Sequence, residues 1–354
     1  MNIGKRLSAG RIGIRLMALI PILSLSILLN GCGGRTGYFK IEGHLLQMNQ
    51  AEFYLYSTDG TIGGIDTIKL NGGRFIHEIP CKDAGTVILV FPNYSELPIF
   101  AESGKGVSLE GNASHLKELE VKGTKTNELM SLFRKKTIDA SLENCQKEAA
   151  DMILENPESP LSIYLFHRYF IISGKTDFAQ GRKLLDAIKS KQGSNNDINR
   201  LEQDFGKLKA SAKGLRLPTF KGTDINGNQI SEADIKGELA VIYAWATWNY
   251  ESQDQQRELR RLAKRYGGRL KILGINLDAS KQRCQSTLKR DSITTPTVCD
   301  EKIFETPLYN QLGLTQIPDN IIIGEDGKIL DHGLRTRVLR EKIEKLMKLP
   351  HPSP

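Results

Sequence analysis

Cysteine and histidine are scarce in this sequence, and their spacing excludes several kinds of site. The 354 residues include five cysteines, at positions 32, 81, 145, 284 and 299, and no two of them form a C-x-x-C pair. The six histidines show no ligand spacing such as H-x-x-x-H. Zinc sites depend on closely spaced ligand pairs of this kind. We therefore predict no metal site and no cofactor.

Long apolar runs and basic clusters are also missing. Leu16–Leu29 is a mostly apolar run of fourteen residues that contains Pro21, whereas a membrane-spanning helix needs about 20 apolar residues. No cluster of Lys and Arg with interleaved aromatic residues occurs, so we predict no nucleic-acid partner. Four of the basic residues behind the net charge of +8 precede the apolar run, and without them the charge is +4.

The N-terminus has the pattern of a secretory signal peptide. Basic residues precede the short apolar run, and small residues end it. Leu29-Asn30-Gly31-Cys32 resembles a bacterial lipobox, whose cysteine becomes the lipidated first residue after cleavage. The resemblance implies that residues 1–31 are removed and that acyl chains on Cys32 anchor the protein. It also implies that the protein is located in the cell envelope of a Gram-negative bacterium, at the outer membrane. The leaflet that holds the anchor is left open. The alternative is ordinary cleavage that leaves Cys32 as a free thiol.

A strand, a short loop and a helix follow one another after residue 238. Leu239–Ala244 is a nearly continuous apolar run, which is typical of a strand buried on both faces. Trp245-Ala246-Thr247-Trp248 comes next, and Leu259 and Leu262 then recur at helical spacing. This segment resembles the active-site segment of the thioredoxin superfamily, most closely of the TlpA type. The resemblance implies a thioredoxin-like α/β domain over residues 214–354.

The two cysteines of that family's W-A-T-W-C-x-x-C segment are absent. Asn249 and Ser252 occupy their positions, with Tyr250 and Glu251 between them. A helix N-terminus favours a thiolate, but asparagine is no nucleophile and is instead a favourable helix N-cap. We therefore predict no catalytic residue in the degenerate redox loop, Trp248–Ser252.

Pro318 lies where the superfamily keeps its cis-proline, which faces the active-site loop. The resemblance implies that Gln316, Ile317 and Pro318 form a peptide-facing loop. The alternative is a bend that the fold needs whether or not it is active. We predict that a protein or peptide partner binds the surface between residues 245–252 and 316–320.

The residues before this domain form two regions. Short strand-like segments punctuated by Gly, Asn and Asp predict an antiparallel β-rich domain over residues 32–123, as a sandwich or a partial barrel. With Asn71–Phe75 and Ile99–Gly104, this region resembles a domain of unknown function that precedes thioredoxin-like domains in Gram-negative lipoproteins. Residues 124–213 are predicted to be a helical connector. Its first helix is expected to start near Thr126 or Asn127, to continue past Leu142 and to be broken by Pro157 and Pro160.

Cys284 and Cys299 are the only two cysteines within the predicted thioredoxin-like domain. The sequence leaves open whether they form a disulfide or stay as unpaired buried thiols. We predict a redox-inactive binding or assembly module in the envelope. The alternative is a thiol–disulfide oxidoreductase that uses Cys284 or Cys299, so enzymatic activity is left undecided.

Overall fold

The computed structural model describes residues 35–57, 59–173 and 176–347. The expected signal peptide and the expected lipidation site, Cys32, lie outside the described residues. The chain divides into two compact units, residues 1–135 and 136–354, and each is described by itself. In the described part of the chain, every helix is too short or too polar to cross a membrane.

The N-terminal unit is built around one eight-stranded sheet. Its strands are β1 Tyr38–Leu46, β2 Gln50–Ser57, β3 Ile65–Asn71, β4 Arg74–Pro80, β5 Gly85–Val90, β6 Glu96–Ala101, β7 Gly106–Asn112 and β8 Glu120–Lys122. Their order is β6-β5-β2-β3-β4-β1-β7-β8. This confirms the predicted β-rich domain. The pairs are antiparallel except β1 with β7, which run parallel.

Aromatic side chains pack together in the apolar core of this unit. The ring of Phe53 packs edge-on against Phe75 and Phe91, with centroids 5.7 and 5.2 Å away. Gly43 lies opposite Phe75 in the ladder, and a side chain at Gly43 would collide with that ring. Glycine is therefore required on β1, because any larger residue would displace part of the core.

Helix α1, Lys125–Thr137, follows the last strand of the sheet. Its buried Asn127 accepts a hydrogen bond from the backbone N–H of Phe100 at 3.0 Å and donates one to the carbonyl of Phe100 at 2.8 Å. A single side-chain amide thus satisfies both backbone groups of a residue in strand β6.

The second unit opens with helices α2 Leu142–Glu155, α3 Pro160–Phe166, α4 Phe178–Gln192 and α5 Asn196–Ala210, and with a π-helical turn at His167–Ile171. The prediction of one helix that continues past Leu142 is wrong, because α1 ends at Thr137 and a separate helix, α2, begins at Leu142. Ser141 starts α2 there by accepting a hydrogen bond from the N–H of Asn144 at 3.3 Å. Serine is a favoured N-cap, so the signal was present in the sequence.

The rest of the second unit is a thioredoxin-like α/β fold. A hairpin of β9 Lys221–Thr223 and β10 Gln229–Ser231 precedes β11 Leu239–Trp245, α6 Tyr250–Tyr266, β12 Leu270–Asn276, α7 Lys281–Arg290, β13 Thr297–Val298, α8 Pro307–Gln311, β14 Asp319–Gly324, β15 Ile329–His332 and α9 Thr336–Leu346. The sheet order is β13-β12-β11-β14-β15. Strand β11 is parallel to β12 and antiparallel to β14, and this mixed sheet confirms the predicted fold.

Strand β11 lies at the centre of this sheet, and all seven of its residues are buried. Ile242 and Ala244 face one apolar cluster, and Tyr243 and Trp245 face the other. Burial on both faces explains why the strand reads as a continuous apolar run. The loop that follows Trp245 is therefore held at the end of a rigid strand.

The helices of the second unit pack on its thioredoxin-like residues. Lys207 donates to the side-chain oxygen of Asn310 at 2.8 Å, and Gln316 donates to the backbone carbonyl of Ile172 at 3.3 Å. Residues interpreted from sequence as a connector thus contact the segment that leads to Pro318.

Candidate functional site

Asn249 and Ser252 hold the loop between β11 and α6 by hydrogen bonds. Asn249 is the N-cap of α6, and its side-chain oxygen accepts from the N–H of Ser252 at 2.8 Å. Ser252 is buried; its hydroxyl oxygen accepts from the N–H of Ala246 at 3.1 Å and lies 2.8 Å from the carbonyl oxygen of Asn249. At the two positions where the thioredoxin superfamily has its redox cysteines, this protein therefore has polar side chains whose hydrogen bonds fix the loop.

A buried carboxylate supports the same loop from the neighbouring strand. Asp278 accepts hydrogen bonds from the N–H of Thr247 at 2.9 Å and from its hydroxyl at 3.0 Å. The other carboxylate oxygen accepts from the side-chain amide of Asn276 at 2.9 Å. Sequence analysis missed Asp278. Its signal was an acidic residue two positions after the end of β12, a strand parallel to β11, because the ends of neighbouring parallel strands meet at one edge of a sheet.

The loop before β14 adjoins this site. The Ile317–Pro318 peptide bond is cis, and the side-chain amide of Asn249 donates to the carbonyl of Ile317 at 3.5 Å. The structure therefore brings together the two segments that the sequence predicts to lie side by side. The Gln316 side chain is already engaged with the carbonyl of Ile172.

A buried polar cluster lies behind the cis bond. His332 lies with one ring nitrogen 3.2 Å from a carboxylate oxygen of Asp319 and with the other 3.2 Å from the hydroxyl of Ser211. Burial lowers the pKa of His332, but the charge and hydrogen bond of Asp319 outweigh it, so the pKa is raised. Ser211 is 1% exposed and lies 3.2 Å from the carbonyl of Lys207. Because Ser211 is buried, a substrate cannot reach its hydroxyl, and the three residues do not act as a hydrolase triad. The cluster instead connects the end of α5 to β14 and β15.

Three aromatic side chains beside the loop are exposed. Trp248 is 57% exposed, Tyr250 71% and Phe304 50%. The ring centroids of Trp248 and Phe304 lie 6.3 Å apart, and the Arg257 guanidinium lies 5.7 Å from the centre of the Tyr250 ring. We call Trp248, Tyr250 and Phe304 the aromatic surface. Sequence analysis missed Phe304, because a single aromatic residue in a short polar segment gives no periodic signal.

Neither cysteine of the thioredoxin-like part lies in α6 or in the loop that precedes it. Cys284 is fully buried in α7, Cys299 is 8% exposed after β13, and both belong to one apolar cluster. Interaction with Cys299, together with burial, raises the pKa of Cys284, and interaction with Cys284 lowers the pKa of Cys299. Among the described residues, no group of three potential ligands is arranged to hold a metal ion.

Comparison with protein families finds two matches. Residues 214–332 match the AhpC/TSA family, and residues 39–130 match a domain of unknown function, DUF4369. The two matched segments together include the β-rich domain and most of the thioredoxin-like part.

Individual relatives match part of this chain. The thioredoxin-like protein YneN of Bacillus subtilis is 25% identical over 150 residues, which cover 41% of this chain and 86% of that protein. The thiol-disulfide oxidoreductase ResA of Bacillus anthracis is 22% identical over 138 residues, 38% of this chain and 76% of that protein.

A solved structure also matches. It is the C-terminal domain of a Bacteroides thetaiotaomicron protein assigned as a thiol-disulfide oxidoreductase, with 34% identity, coverage of 39% of this chain and 97% of that chain, and a TM-score of 0.36. Residues 214–332 are thus a thioredoxin-like AhpC/TSA domain, and residues 39–130 are an N-terminal DUF4369 domain.

Proposed function

We propose that this protein is a redox-inactive binding module that captures an extended peptide or a protein segment on the aromatic surface. The observation that carries the proposal is the exposure of Trp248, Tyr250 and Phe304 beside the loop that contains Pro318. Exposed aromatic residues close together are typical of recognition sites, because they offer large apolar area at low conformational cost.

The polar character of the loop supports the absence of redox chemistry. A thioredoxin-type exchange reaction needs a thiolate nucleophile and a second thiol to resolve the mixed disulfide. Asn249 offers an amide and Ser252 a buried hydroxyl, and both are already used in the hydrogen bonds that fix the loop. The scaffold therefore retains a binding surface without the reactive atoms.

Location in the envelope completes the proposal. The segment that ends at Cys32 would place a lipid anchor ahead of the β-rich domain, at the outer membrane. Replacing Cys32 with Ala should move the protein from the detergent phase to the aqueous phase in a detergent partition experiment. Unchanged partitioning, with a mature N-terminus other than Cys32, would contradict the anchor.

The two tryptophans provide a direct test of binding. Trp245 is fully buried and Trp248 is exposed, so acrylamide should quench the fluorescence of Trp248 selectively. Random-sequence peptides rich in aliphatic residues should shift this emission to the blue and protect it from quenching. A Trp248→Phe variant should lose the signal. By isothermal titration calorimetry, which needs no tryptophan reporter, a Trp248→Ala, Phe304→Ala variant should bind roughly tenfold more weakly than the parent protein.

A matched control uses apolar residues of the same unit outside the aromatic surface. Leu142 and Leu154 lie on α2 and are exposed to a similar degree. A Leu142→Ala, Leu154→Ala variant should bind as the parent protein does. Equal binding by the parent and by the Trp248→Ala, Phe304→Ala variant would reject the aromatic surface as the binding site.

The second candidate function is thiol–disulfide exchange through Cys284 and Cys299. It is favoured by the names of the relatives and by the lowered pKa of Cys299. The burial of both thiols opposes it, since a substrate disulfide must reach the attacking sulfur. Insulin reduction that is present in the parent protein and lost in a Cys299→Ser variant would establish this function and reject the first.

A further inference from the structure

We propose that one helical face of the thioredoxin-like part binds a membrane surface rich in anionic phospholipid. The face is the solvent side of α6, α7 and α9, and we call it the basic face. The proposal is separate from peptide capture by the aromatic surface. It uses the proposed lipid anchor only to choose lipid over other anionic partners, and it is tested without that anchor.

The three helices form one layer on the sheet. Leu259 and Leu262 of α6, Leu288 of α7, and Leu339 and Ile343 of α9 belong to a single apolar cluster with residues of β11, β12 and β14. Helix α8 packs in the other cluster, on the opposite side of the sheet. The three helices thus cover the same face of the sheet, and their remaining sides are turned toward solvent.

Side-chain contacts join neighbouring helices of this layer. The Arg290 guanidinium, at the end of α7, donates to the side-chain oxygen of Gln253 in α6 at 3.0 Å. Arg265 of α6 pairs with Glu344 of α9 at 2.8 Å. Helix α6 therefore contacts both of the other helices, and the charged groups of the three helices belong to one continuous surface.

Positive charge is concentrated on these helices. Together, α6, α7 and α9 carry thirteen Lys and Arg side chains and five Asp and Glu side chains, a net charge of +8. The chain from residue 32 onward has a net charge of only +4. Its residues outside the three helices therefore have a net charge of −4. The excess of positive charge thus lies on one face of the thioredoxin-like part.

Most acidic side chains of the layer are already paired, whereas several basic ones are not. Glu258 pairs with Arg261 at 2.8 Å, and Asp254 pairs with Arg257. In the part of the chain that the structure describes, the exposed basic side chains of this layer that take part in no ion pair include Arg260, Lys264, Arg283, Lys289 and Lys345. These cations can bind external anions without breaking an internal contact.

A lipid surface fits the spread of these charges. Helix α6 has 17 residues and is about 25 Å long, and packed helices lie about 8–10 Å apart. Charges spread over such an area can each meet a different headgroup, and each Lys or Arg close to an anionic membrane adds to binding. A lipid anchor at Cys32 would keep the chain beside a membrane, where a basic patch strengthens attachment.

The same helices offer little to a nucleic acid. Their aromatic residues, Tyr250 and Tyr266, lie at the two ends of α6, and α7 and α9 have none. The basic face therefore provides no row of rings on which bases could stack.

The test is co-sedimentation of the full chain with phospholipid vesicles. Every protein carries Cys32→Ala, so that no acyl chain contributes. One set of vesicles is phosphatidylcholine, and the other contains equal parts of phosphatidylcholine and phosphatidylglycerol. We expect stronger binding to the second set, and this excess should disappear at high salt, which screens exposed charges. Binding through the apolar run near the N-terminus is common to both sets and cancels in the comparison.

Removal of unpaired cations should weaken the excess binding. An Arg260→Gln, Lys264→Gln, Lys289→Gln variant should bind the phosphatidylglycerol vesicles roughly tenfold to a hundredfold more weakly than the parent protein. An Arg283→Gln, Lys345→Gln variant tests α7 and α9 alone and should also bind more weakly. Both variants change only exposed side chains that form no ion pair, so they should fold as the parent protein does.

The matched control removes the same charge from other helices of the same unit. Lys183 and Lys191 lie on α4 and Lys209 lies on α5. All three are exposed, and none forms an ion pair with another described residue. A Lys183→Gln, Lys191→Gln, Lys209→Gln variant should bind the vesicles as the parent protein does.

Three outcomes would overturn the proposal. Equal binding to both kinds of vesicle would exclude attraction to anionic lipid. Equal binding by the two triple variants would show that the basic face has no special role. Displacement from the vesicles by an equal charge concentration of duplex DNA or polyglutamate would assign the face to a macromolecular polyanion. Peptide binding is measured on Trp248 and involves none of these substitutions, so either proposal can fail alone.

Discussion

The side-chain amide of Asn249 donates a hydrogen bond to the carbonyl of Ile317, with the two atoms 3.5 Å apart. These residues are separated by 68 positions in sequence. The same Asn249 side chain caps α6 through its oxygen, so one residue organises the helix start and contacts the loop of Pro318. Predictions about the candidate site can therefore be tested at this position.

Introducing the missing dithiol should restore part of the redox chemistry. In an Asn249→Cys, Ser252→Cys variant, the first thiol lies at the N-terminus of α6, where backbone N–H groups favour a thiolate by about 0.3–1 kcal/mol. Glu251 in the same turn opposes this, because a nearby carboxylate disfavours a second negative charge. We expect weak insulin reductase activity, and a further Glu251→Gln change should raise it.

The control for that variant is Asn249→Cys alone, which lacks a resolving thiol and should show no turnover. Thiol titration before and after mild oxidation reports whether the introduced pair closes. If the double variant folds but its two new thiols form no disulfide, the loop does not have thioredoxin geometry.

Loss of the cap should destabilise the protein. Asn249→Ala removes the acceptor for the N–H of Ser252 and should lower the free energy of unfolding by about 0.5–2 kcal/mol. Asn249→Asp keeps the acceptor and removes the donor to Ile317, so it should retain most of the stability. Urea unfolding of both variants separates the two roles, and equal losses would contradict the cap as the main contribution.

Removal of the carboxylate under the loop should cost more than removal of a surface carboxylate. Asp278→Ala leaves the N–H of Thr247 without its acceptor and should destabilise the protein by about 1–3 kcal/mol. Asp254 is matched in charge but exposed, and it pairs with Arg257 at the surface. Asp254→Ala should change stability by about 0–1 kcal/mol. A similar effect of both substitutions, measured by chemical unfolding, would show that Asp278 does not support the loop.

The His332 cluster should make stability depend on pH. The raised pKa of His332 means that the folded state binds its proton more tightly than the unfolded state, whose histidine pKa is about 6.5. The stabilisation is complete below about pH 6.5 and is lost as pH rises through the folded pKa. The groups that face His332 are Asp319, the hydroxyl of Ser211 and Asp331, which is itself paired with Lys342 at 3.0 Å.

A His332→Gln variant tests this dependence, because it keeps a donor for Asp319 and cannot titrate. The difference in unfolding free energy between parent and variant should favour the parent most at mildly acidic pH and shrink as pH rises. The other histidines are common to both proteins. A difference that grows with pH would reverse the sign and exclude a protonated His332 in the fold.

Sequence alone predicted the elements whose signal is local. The apolar run of β11, the polar loop and the helical spacing in α6 follow one another within a short stretch. Because β11 is buried on both faces, its residues are apolar without interruption, and the strand can be recognised from sequence. Asn249 as a helix cap follows from its side-chain chemistry and its position before the helix. The exposed state of Trp248 could not be predicted, because it depends on which segments pack around the loop.

The missed features join residues that are distant in the chain. Ser211 and His332 lie 121 positions apart, and neither belongs to a recognisable motif. The parallel pairing of β1 and β7 similarly joins strands separated by five others. Patterns of turns predict neighbouring strands that pair antiparallel, so a pairing between distant strands leaves no mark in the local sequence.

The amide of Asn127 has a consequence for self-association of the β-rich domain. Strand β6 is the terminal strand of the sheet, and terminal strands can recruit a strand from another molecule. Asn127 occupies the N–H and carbonyl of Phe100 in the way that a neighbouring peptide unit would. The Asn127 side chain thus takes the place of an added strand at this one residue. At Phe100, this edge of the sheet therefore offers no free backbone groups to template fibril growth.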